Sequence, residues 1–221
     1  MTTFIIVRHG ETEANIQQVW QGSLDAPLTE RGMRQVQATG QRIGELIAQF
    51  PVDHFYVSPL PRTRSTAAAI AAVIRQEPVI DDRLREFDLG DWEGRSFRDL
   101  KETEDLWNRW ERDPAFAPPN GESPRTFGIR IAAGFHALAA EHPNETVLTV
   151  THGGVISNLL TNWLGGDPRD WREWEAPNCS ISVLAPDENG GWQALMANDI
   201  SHLPLDARFE EDSSIYAVDE D

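Results

Sequence analysis

The stretch Phe4-Ile5-Ile6-Val7-Arg8-His9-Gly10 decides the fold of this chain. Its first four residues are apolar and mostly β-branched, which predicts a buried strand. The strand delivers Arg8 and His9 to its carboxyl end, where open α/β sheets bind their ligands. A guanidinium suits a phosphate, and an imidazole is a nucleophile or base that titrates near neutral pH. Gly10 lets the backbone approach a ligand closely.

A second strand of the same kind is predicted at Thr146-Val147-Leu148-Thr149-Val150, and it runs into Thr151-His152-Gly153-Gly154. A helix follows directly, and the free N–H groups at its start attract anions. Because two strand ends each carry a histidine followed by glycine, we expect His9 and His152 to share one site.

Candidate partners for the histidines lie in three further segments, namely residues 58–74, 15–22 and 84–94. Residues 58–74 predict a helix that begins after Ser58-Pro59 and carries Arg62 in its first turn, a favourable place for an anion. Asn15 offers a neutral donor behind the first strand, and a loop follows at Gln21-Gly22.

An acid or base is expected from residues 84–94, where carboxylates lie beside aromatic side chains. The spacing alone does not choose among Glu86, Asp88 and Glu93.

Composition limits the class of function. The formal net charge of −17 argues against nucleic acid and anionic membranes as partners, because both bind through lysine and arginine. The single cysteine, Cys179, cannot form an intramolecular disulfide and fits a reducing cytoplasm. We interpret it as a buried thiol at the start of a strand, with a catalytic cysteine as the alternative. We expect no signal peptide and no membrane span.

No spacing of histidines and acids indicates a metal site, and no glycine-rich loop indicates a nucleotide site, so we predict neither a metal nor a cofactor. We expect one domain over residues 1–205, with 95–120 as a cap-like insertion, and a mobile acidic tail over 206–221. Ser96 is expected to cap one helix of the insertion, and Ser123 to cap the helix that follows it. Trp163, Trp171 and Trp174 are candidates for a homo-oligomer interface.

Taken together, these motifs resemble one family. Arg8-His9-Gly10-Glu11-Thr12 with Asn15 is similar to the opening motif of the histidine phosphatase superfamily, the phosphoglycerate mutase-like enzymes. Further matches follow in the same order: Asp25-Ala26-Pro27-Leu28-Thr29-Glu30, Ser58-Pro59-Leu60-Pro61-Arg62-Thr63, Leu84-Arg85-Glu86, Gly90-Asp91-Trp92-Glu93-Gly94, Gly121-Glu122-Ser123 and Thr151-His152-Gly153-Gly154. The resemblance spans about residues 3–203 and implies a three-layer α/β/α sandwich with a mostly parallel sheet.

The resemblance also implies a role for each candidate residue. His9 would be the nucleophile that becomes phosphohistidine, and Glu86 would be the general acid and then the base for water. The phosphoryl group would be held by a larger set, namely Arg8, Arg62, His152, Asn15 and the Gly153 backbone. Gln21 and Gly22 complete the substrate-binding candidates.

The family contains phosphatases and mutases, and we expect a hydrolase acting on a small phosphorylated metabolite. A mutase must hold a second anionic group, whereas the cations of segment 95–120 are diluted by acids. Phosphoglycerate mutase is the alternative, and a non-catalytic binder of phosphorylated ligands is a third. Ser157 departs from the arginine of many alpha-ribazole-phosphatase-like relatives.

Overall fold

The computed structural model describes residues 1–167 and 172–208, and in these ranges the chain forms a six-stranded sheet flanked by helices. The strands are β1 (Thr3–Arg8), β2 (His54–Val57), β3 (Val79–Ile80), β4 (Thr146–Thr151), β5 (Ile181–Pro186) and β6 (Trp192–Asp199). The helices are α1 (Glu13–Ile16), α2 (Glu30–Leu46), α3 (Pro61–Ile74), α4 (Phe97–Glu104), α5 (Leu106–Arg112), α6 (Pro124–Glu141) and α7 (Gly153–Trp163). None of these helices is both long and apolar enough to cross a membrane.

The sheet is mostly parallel, as predicted. Its strand order is β3-β2-β4-β1-β5-β6, with parallel pairing from β3 to β1 and antiparallel pairing at β5 and β6. The two strands predicted from apolar runs, β1 and β4, are direct neighbours. Their register runs from Thr3 opposite Thr146 to Arg8 opposite Thr151, so both strands end at the same level of the sheet.

Alternation along β1 builds the core on both faces of the sheet. Phe4 and Ile6 pack into one apolar cluster with residues of α4 to α7. Ile5 and Val7 point to the other face and pack with residues of α2 and α3. Because successive side chains of a strand alternate between faces, one apolar strand needs helices on both sides. The predicted three-layer sandwich is confirmed.

Segment 95–120 contributes to this core. Ser96 caps α4 by accepting from the Asp99 N–H at 3.1 Å. The sequence predicted one helix here, whereas the structure has two, because Asp105 adopts a left-handed conformation with φ of 52°. Trp107 and Trp110 of α5 are buried in the cluster that also contains Phe4. The segment therefore covers one face of the sheet and shares its core.

The packed chain extends beyond the predicted boundary at residue 206. Residues Leu205–Ala207 form a 3₁₀ turn in which Ala207 is fully buried. Its carbonyl accepts a hydrogen bond from Gln35 Nε2 at 2.8 Å. The rest of the predicted tail, 209–221, lies outside the described residues.

The tryptophans considered for an oligomer interface pack partly within the chain. Trp163 stacks on Trp192 with ring centroids 4.0 Å apart, and Trp174 is half-buried against the same core. Trp171 lies outside the described residues. Self-association stays a prediction.

The contact between α2 and α3 predicts different outcomes for two glycines of α2. A Cβ on Gly40 would lie 2.8 Å from the Ala69 carbonyl oxygen, whereas one on Gly44 would meet only Val73 Cγ1, on a half-exposed side chain. We expect Gly40→Ala to lower the free energy of unfolding by about 1–3 kcal/mol, because backbone must move. Gly44→Ala should be near neutral, since Val73 can shift and alanine favours a helix. Urea unfolding of both variants tests this, and equal losses would contradict it.

Candidate active site

β1 and β4 end at the same level of the sheet, which brings His9 and His152 together. The His9 N–H donates to the Thr151 carbonyl at 3.1 Å, and the imidazole rings of His9 and His152 lie 5.4 Å apart at 65°. A small cavity of about 100 Å³ opens beside His9. Its polar and glycine lining comprises Arg8, His9, Asn15, Gln21, Gly22, Arg62, Glu86, Gly153, Gly154, Ser157 and Glu175.

The hydrogen bonds of His9 determine which ring nitrogen is available. Nδ1 lies 2.8 Å from the Gly10 carbonyl oxygen, which can only accept. The neutral ring therefore carries its proton on Nδ1, and the lone pair is on Nε2. The His9 carbonyl is fixed in turn by the Cys179 N–H at 3.2 Å and by Asn178 Nδ2 at 3.1 Å.

Both histidines are held in the neutral form. Burial, followed by the positive charges of Arg62 and Arg8, holds the pKa of His9 well below its usual value. The pKa of His152 is also well below its usual value, first because of burial and then because of Arg62. An unprotonated His9 is a nucleophile, so the adjacent arginines favour its reactive form.

Carbonyl oxygens orient the two arginines. Arg62, 2% exposed, donates from Nη1 to the Leu24 carbonyl and from Nη2 to the Gly22 carbonyl, both at 2.8 Å. Arg8 donates from Nη1 to the carbonyl of Ala176. A carbonyl fixes the Arg62 guanidinium without cancelling its charge, so Arg62 can still bind an anion in the cavity.

Gly153 permits the close packing of this lining. A Cβ at this position would lie 3.2 Å from both Cζ and Nε of Arg8. Gly153 is the first residue of α7, whose early N–H groups have no partners within the helix. The guanidinium and the helix start therefore meet at the cavity.

His152 lies behind the cavity surface. It is fully buried, and its Nε2 lies 2.8 Å from Ser58 Oγ. Its Nδ1 has no hydrogen-bond partner among the described residues. The other predicted site residues line the cavity, whereas His152 is not part of the described lining.

Asn15 and Gln21 line the cavity with part of their hydrogen-bonding capacity already used. Asn15 Oδ1 accepts from the Thr12 N–H at 3.0 Å and from Asn178 Nδ2 at 3.3 Å, which leaves the Asn15 NH₂ group for a ligand. Gln21 Nε2 donates to Thr12 Oγ1 at 2.9 Å, and its buried Oε1 has no partner among the described residues.

Glu86 is the acid that the structure places at the cavity. Its Oε1 accepts from the Phe87 N–H at 2.9 Å, and its Oε2 accepts from the Gly154 N–H at 3.1 Å. The second bond ties the carboxylate to the start of α7, beside the Gly153 backbone. The carboxylate thus lies in the same cavity as His9.

The other two acids considered are engaged in loops. Asp88 Oδ1 accepts from the Gly90 N–H at 2.7 Å. Glu93 accepts from the Ser23 N–H at 2.8 Å and from its hydroxyl at 2.6 Å. Within the described chain, neither carboxylate lines the cavity.

Several residues that shape the site were not found from the sequence. Asn178 bonds the His9 carbonyl, Ser58 bonds His152, and Trp20 and Glu175 line the cavity. Ser58 was interpreted only as a helix start. No local pattern distinguishes Asn178 or Glu175, because both reach the site through a long-range approach to β1.

A larger groove of about 1070 Å³ adjoins the cavity and shares Trp20 and Gly154 with it. We define its aromatic wall as Trp20, Phe87, Trp107, Trp110, Phe127 and Trp163. Among the residues that the structure describes, its charged lining consists of Arg125 and Arg172 with Glu111 and Asp167. The groove is therefore mainly apolar, with balanced formal charge.

Comparison with known proteins gives consistent matches over nearly the whole chain. The family model described as histidine phosphatase superfamily (branch 1) matches residues 4–200. A protein named "Probable phosphoglycerate mutase GpmB", from Cronobacter sakazakii, is 35% identical over 213 residues, covering 94% of this chain and 97% of that protein.

Solved structures agree with this result. Phosphoserine phosphatase from Entamoeba histolytica, in complex with phosphoserine, is 27% identical with a TM-score of 0.81, covering 92% of this chain and all of that one. Alpha-ribazole phosphatase from Shigella flexneri is 28% identical with a TM-score of 0.75, covering 89% and 96% of the two chains.

The buried neutral histidines predict how stability depends on pH. Their pKa values are lowered in the folded state, so below about pH 6.5 the unfolded chain binds protons that the folded chain does not. From about pH 7 to about pH 5.5, we expect each of His9 and His152 to remove about 1 kcal/mol from the free energy of unfolding. Urea unfolding at both pH values measures the loss.

The variant His152→Gln should reduce this pH-dependent loss by about 1 kcal/mol. The matched variant His136→Gln, which removes an exposed histidine, should keep the wild-type dependence. An unchanged pH dependence in His152→Gln would contradict the neutral, buried state of His152.

Proposed function

The chain belongs to the histidine phosphatase superfamily, branch 1, and from this membership we propose that it is a metal-independent phosphomonoester hydrolase that works through phosphohistidine at His9. The observation that carries the proposal is the state of His9. It is neutral, its Nδ1 is bonded to the Gly10 carbonyl, and it lies beside two buried arginines in a cavity that also contains Glu86.

In the first step, His9 Nε2 attacks the phosphorus of the bound ester. The bond from phosphorus to the ester oxygen breaks, and Glu86 gives its proton to the leaving oxygen. Charge on the transferring phosphoryl group is met by Arg8, Arg62, the Asn15 NH₂ group and the N–H of Gly153. The two arginines among these donors are already oriented by carbonyls, so they need little rearrangement.

In the second step, Glu86 as carboxylate takes a proton from water, and the water oxygen attacks phosphorus. The phosphorus–nitrogen bond breaks, which restores His9 and releases phosphate. His152 assists from behind when Ser58 donates to its Nε2, because the proton then sits on the unpartnered Nδ1. That Nδ1–H can bind a phosphoryl oxygen.

The charges around the cavity support hydrolysis over mutase activity. Arg8 and Arg62 flank His9 and are used by the phosphoryl group, whereas the other charged residues of the lining, among the described residues, are Glu86 and Glu175. A mutase must also hold the carboxylate of a phosphoglycerate while the intermediate turns. Apart from Arg8 and Arg62, the described part of the lining has no arginine or lysine for such a group.

The groove supports a substrate whose alcohol part is bulky and apolar or aromatic. It begins at Trp20 and Gly154, next to the carboxylate that protonates the leaving oxygen, so a departing alcohol lies at its entrance. Aromatic walls contribute affinity through apolar burial and ring stacking. The net charge of −17 supports a small substrate over nucleic acid or a membrane surface, and the buried Cys179 supports a location in the reducing cytoplasm.

Phosphoglycerate mutase activity is the second candidate, favoured by the name of the relatives that are about one-third identical. A non-catalytic binder of phosphorylated ligands is the third, and it would bind without turnover.

Substitution of Glu86 tests the chemistry. We expect Glu86→Gln to lower kcat/KM by about 10²–10⁴-fold on an alkyl phosphate, because kcat/KM reports the first step and an amide cannot transfer the proton in that step. The loss should be much smaller on p-nitrophenyl phosphate, whose leaving oxygen needs no proton. His9→Ala should remove turnover of both substrates, and rapid quenching with labelled substrate should show acid-labile phosphohistidine in the wild type alone.

Asp88→Asn is the matched control, since Asp88 lies two residues away and its carboxylate accepts from the Gly90 N–H of the same loop. It should keep wild-type kcat on both substrates. Full activity in His9→Ala would refute the mechanism, and equal losses of Glu86→Gln on both substrates would refute the acid role.

A substrate panel in the presence of chelator separates the candidates. We expect phosphate release, with kcat/KM about tenfold or more higher for naphthyl phosphate than for glycerol phosphate, because the groove buries the aromatic group. 3-Phosphoglycerate, with and without 2,3-bisphosphoglycerate, is included. Isomerisation that outpaces phosphate release would favour the mutase.

Two neighbouring alanines of α6 test the groove. Ala132 lines it, whereas Ala133 is exposed outside it. Ala132→Phe should lower kcat/KM for naphthyl phosphate and leave glycerol phosphate unchanged, and Ala133→Phe should change neither. Equal behaviour of the two variants would remove the groove from the substrate site.

A further inference from the structure

A cluster of two histidines and a glutamate lies outside the candidate active site. His54 Nε2 is 2.9 Å from Glu145 Oε2, and His142 Nδ1 is 3.2 Å from the same oxygen. The three atoms all lie within 4.8 Å of one another. The imidazole rings are stacked, with centroids 3.8 Å apart. Three ligand atoms of the types that transition metals prefer thus lie close together.

The cluster lies at the amino ends of the parallel strands, whereas the His9 cavity lies at their carboxyl ends. His54 is the first residue of β2, and Glu145 directly precedes β4. His142 ends α6, in the turn that leads to β4. The active-site histidines follow the carboxyl ends of strands, whereas these three residues stand at amino ends. Sequence spacing missed the cluster because His54 is brought to it only by the parallel pairing of β2 with β4.

The ligand separations fit zinc. Zinc binds imidazole nitrogen and carboxylate oxygen at roughly 2.0–2.2 Å in tetrahedral geometry, which places ligand atoms about 3.3 Å apart. The two observed separations to Glu145 Oε2 are near this value. His54 and Glu145 are both partly exposed, with side chains 36% and 41% exposed, so an ion and a water ligand can reach the site.

A neighbouring tyrosine orients one ligand. The Tyr56 hydroxyl lies 2.8 Å from His142 Nε2, so a proton on Nε2 can donate to Tyr56 and leave Nδ1 with its lone pair.

We propose that His54 Nε2, His142 Nδ1 and Glu145 Oε2 bind a zinc ion that joins the start of β2 to the turn before β4. The ion takes the place of the protons that the two imidazoles share with Glu145, and it leaves the fourth position to water. The site stabilises the folded chain, because the unfolded chain does not hold the three ligands together. It revises the expectation that the chain carries no metal-ligand set, and it is independent of the proposed hydrolysis.

Titration of zinc chloride into the chelator-treated full chain tests the proposal, with a chromophoric chelator as competitor. We expect one zinc ion per chain and a higher Tm in its presence. His54→Gln and Glu145→Gln should each weaken the binding at least about tenfold and remove the rise in Tm. Both replacements keep a polar side chain of similar size at a partly exposed position.

His136→Gln is the matched control, because it removes an exposed α6 histidine outside the cluster, and it should bind zinc as the wild type does. Anomalous scattering at the zinc edge should give a peak between His54, His142 and Glu145. No binding by the wild type, or equal binding by the wild type and both cluster variants, would overturn the proposal. Hydrolysis in chelator is measured separately, so either proposal can fail alone.

Discussion

The parallel pairing of β1 with β4 is the constraint on which the rest of the site depends. Arg8 lies opposite Thr151 in the register, so the residues that follow them, His9 and His152, are also brought close together. The His9 N–H is bonded to the Thr151 carbonyl. A shift of one residue would turn the core-facing side chains of either strand to the wrong face. The apolar cores on both sides of the sheet therefore fix the distance between the two imidazoles, and stability and site geometry have the same origin.

An acidic chain can bind an anion when an arginine of its site is bonded to carbonyls, whereas arginines at its surface are paired with carboxylates. Arg83, Arg95 and Arg130 pair with carboxylates at the surface. Arg62 is instead held by two carbonyls, and its guanidinium makes no ion pair among the described residues. Burial makes this arrangement costly, and the substrate phosphate is the group that compensates it. The net charge of the chain thus reflects its surface residues, whereas anion binding at the site depends on which groups bond the buried arginine.

Much of the fold followed from the sequence because its signals are local. The apolar runs of β1 and β4, and the caps at Ser96 and Ser123, depend on neighbouring residues and were correctly predicted. The break at Asp105 was missed because a left-handed residue other than glycine leaves little trace in a helical pattern. The tie among Glu86, Asp88 and Glu93 was not decided by local pattern, since it depends on which carboxylate reaches the start of α7. Asn178, Ser58 and the His54 cluster were missed for the same reason.

The burial of Cys179 affects how the protein reacts with oxidants. Its backbone N–H supports His9, yet its thiol is fully buried, and burial raises its pKa to about 12. The thiolate is the form that oxidants and alkylating reagents attack, and here it is almost absent at neutral pH. The chain has no other cysteine. In the proposed mechanism the nucleophile is an imidazole, so the proposed chemistry does not need the thiolate that oxidants attack in enzymes with a cysteine nucleophile.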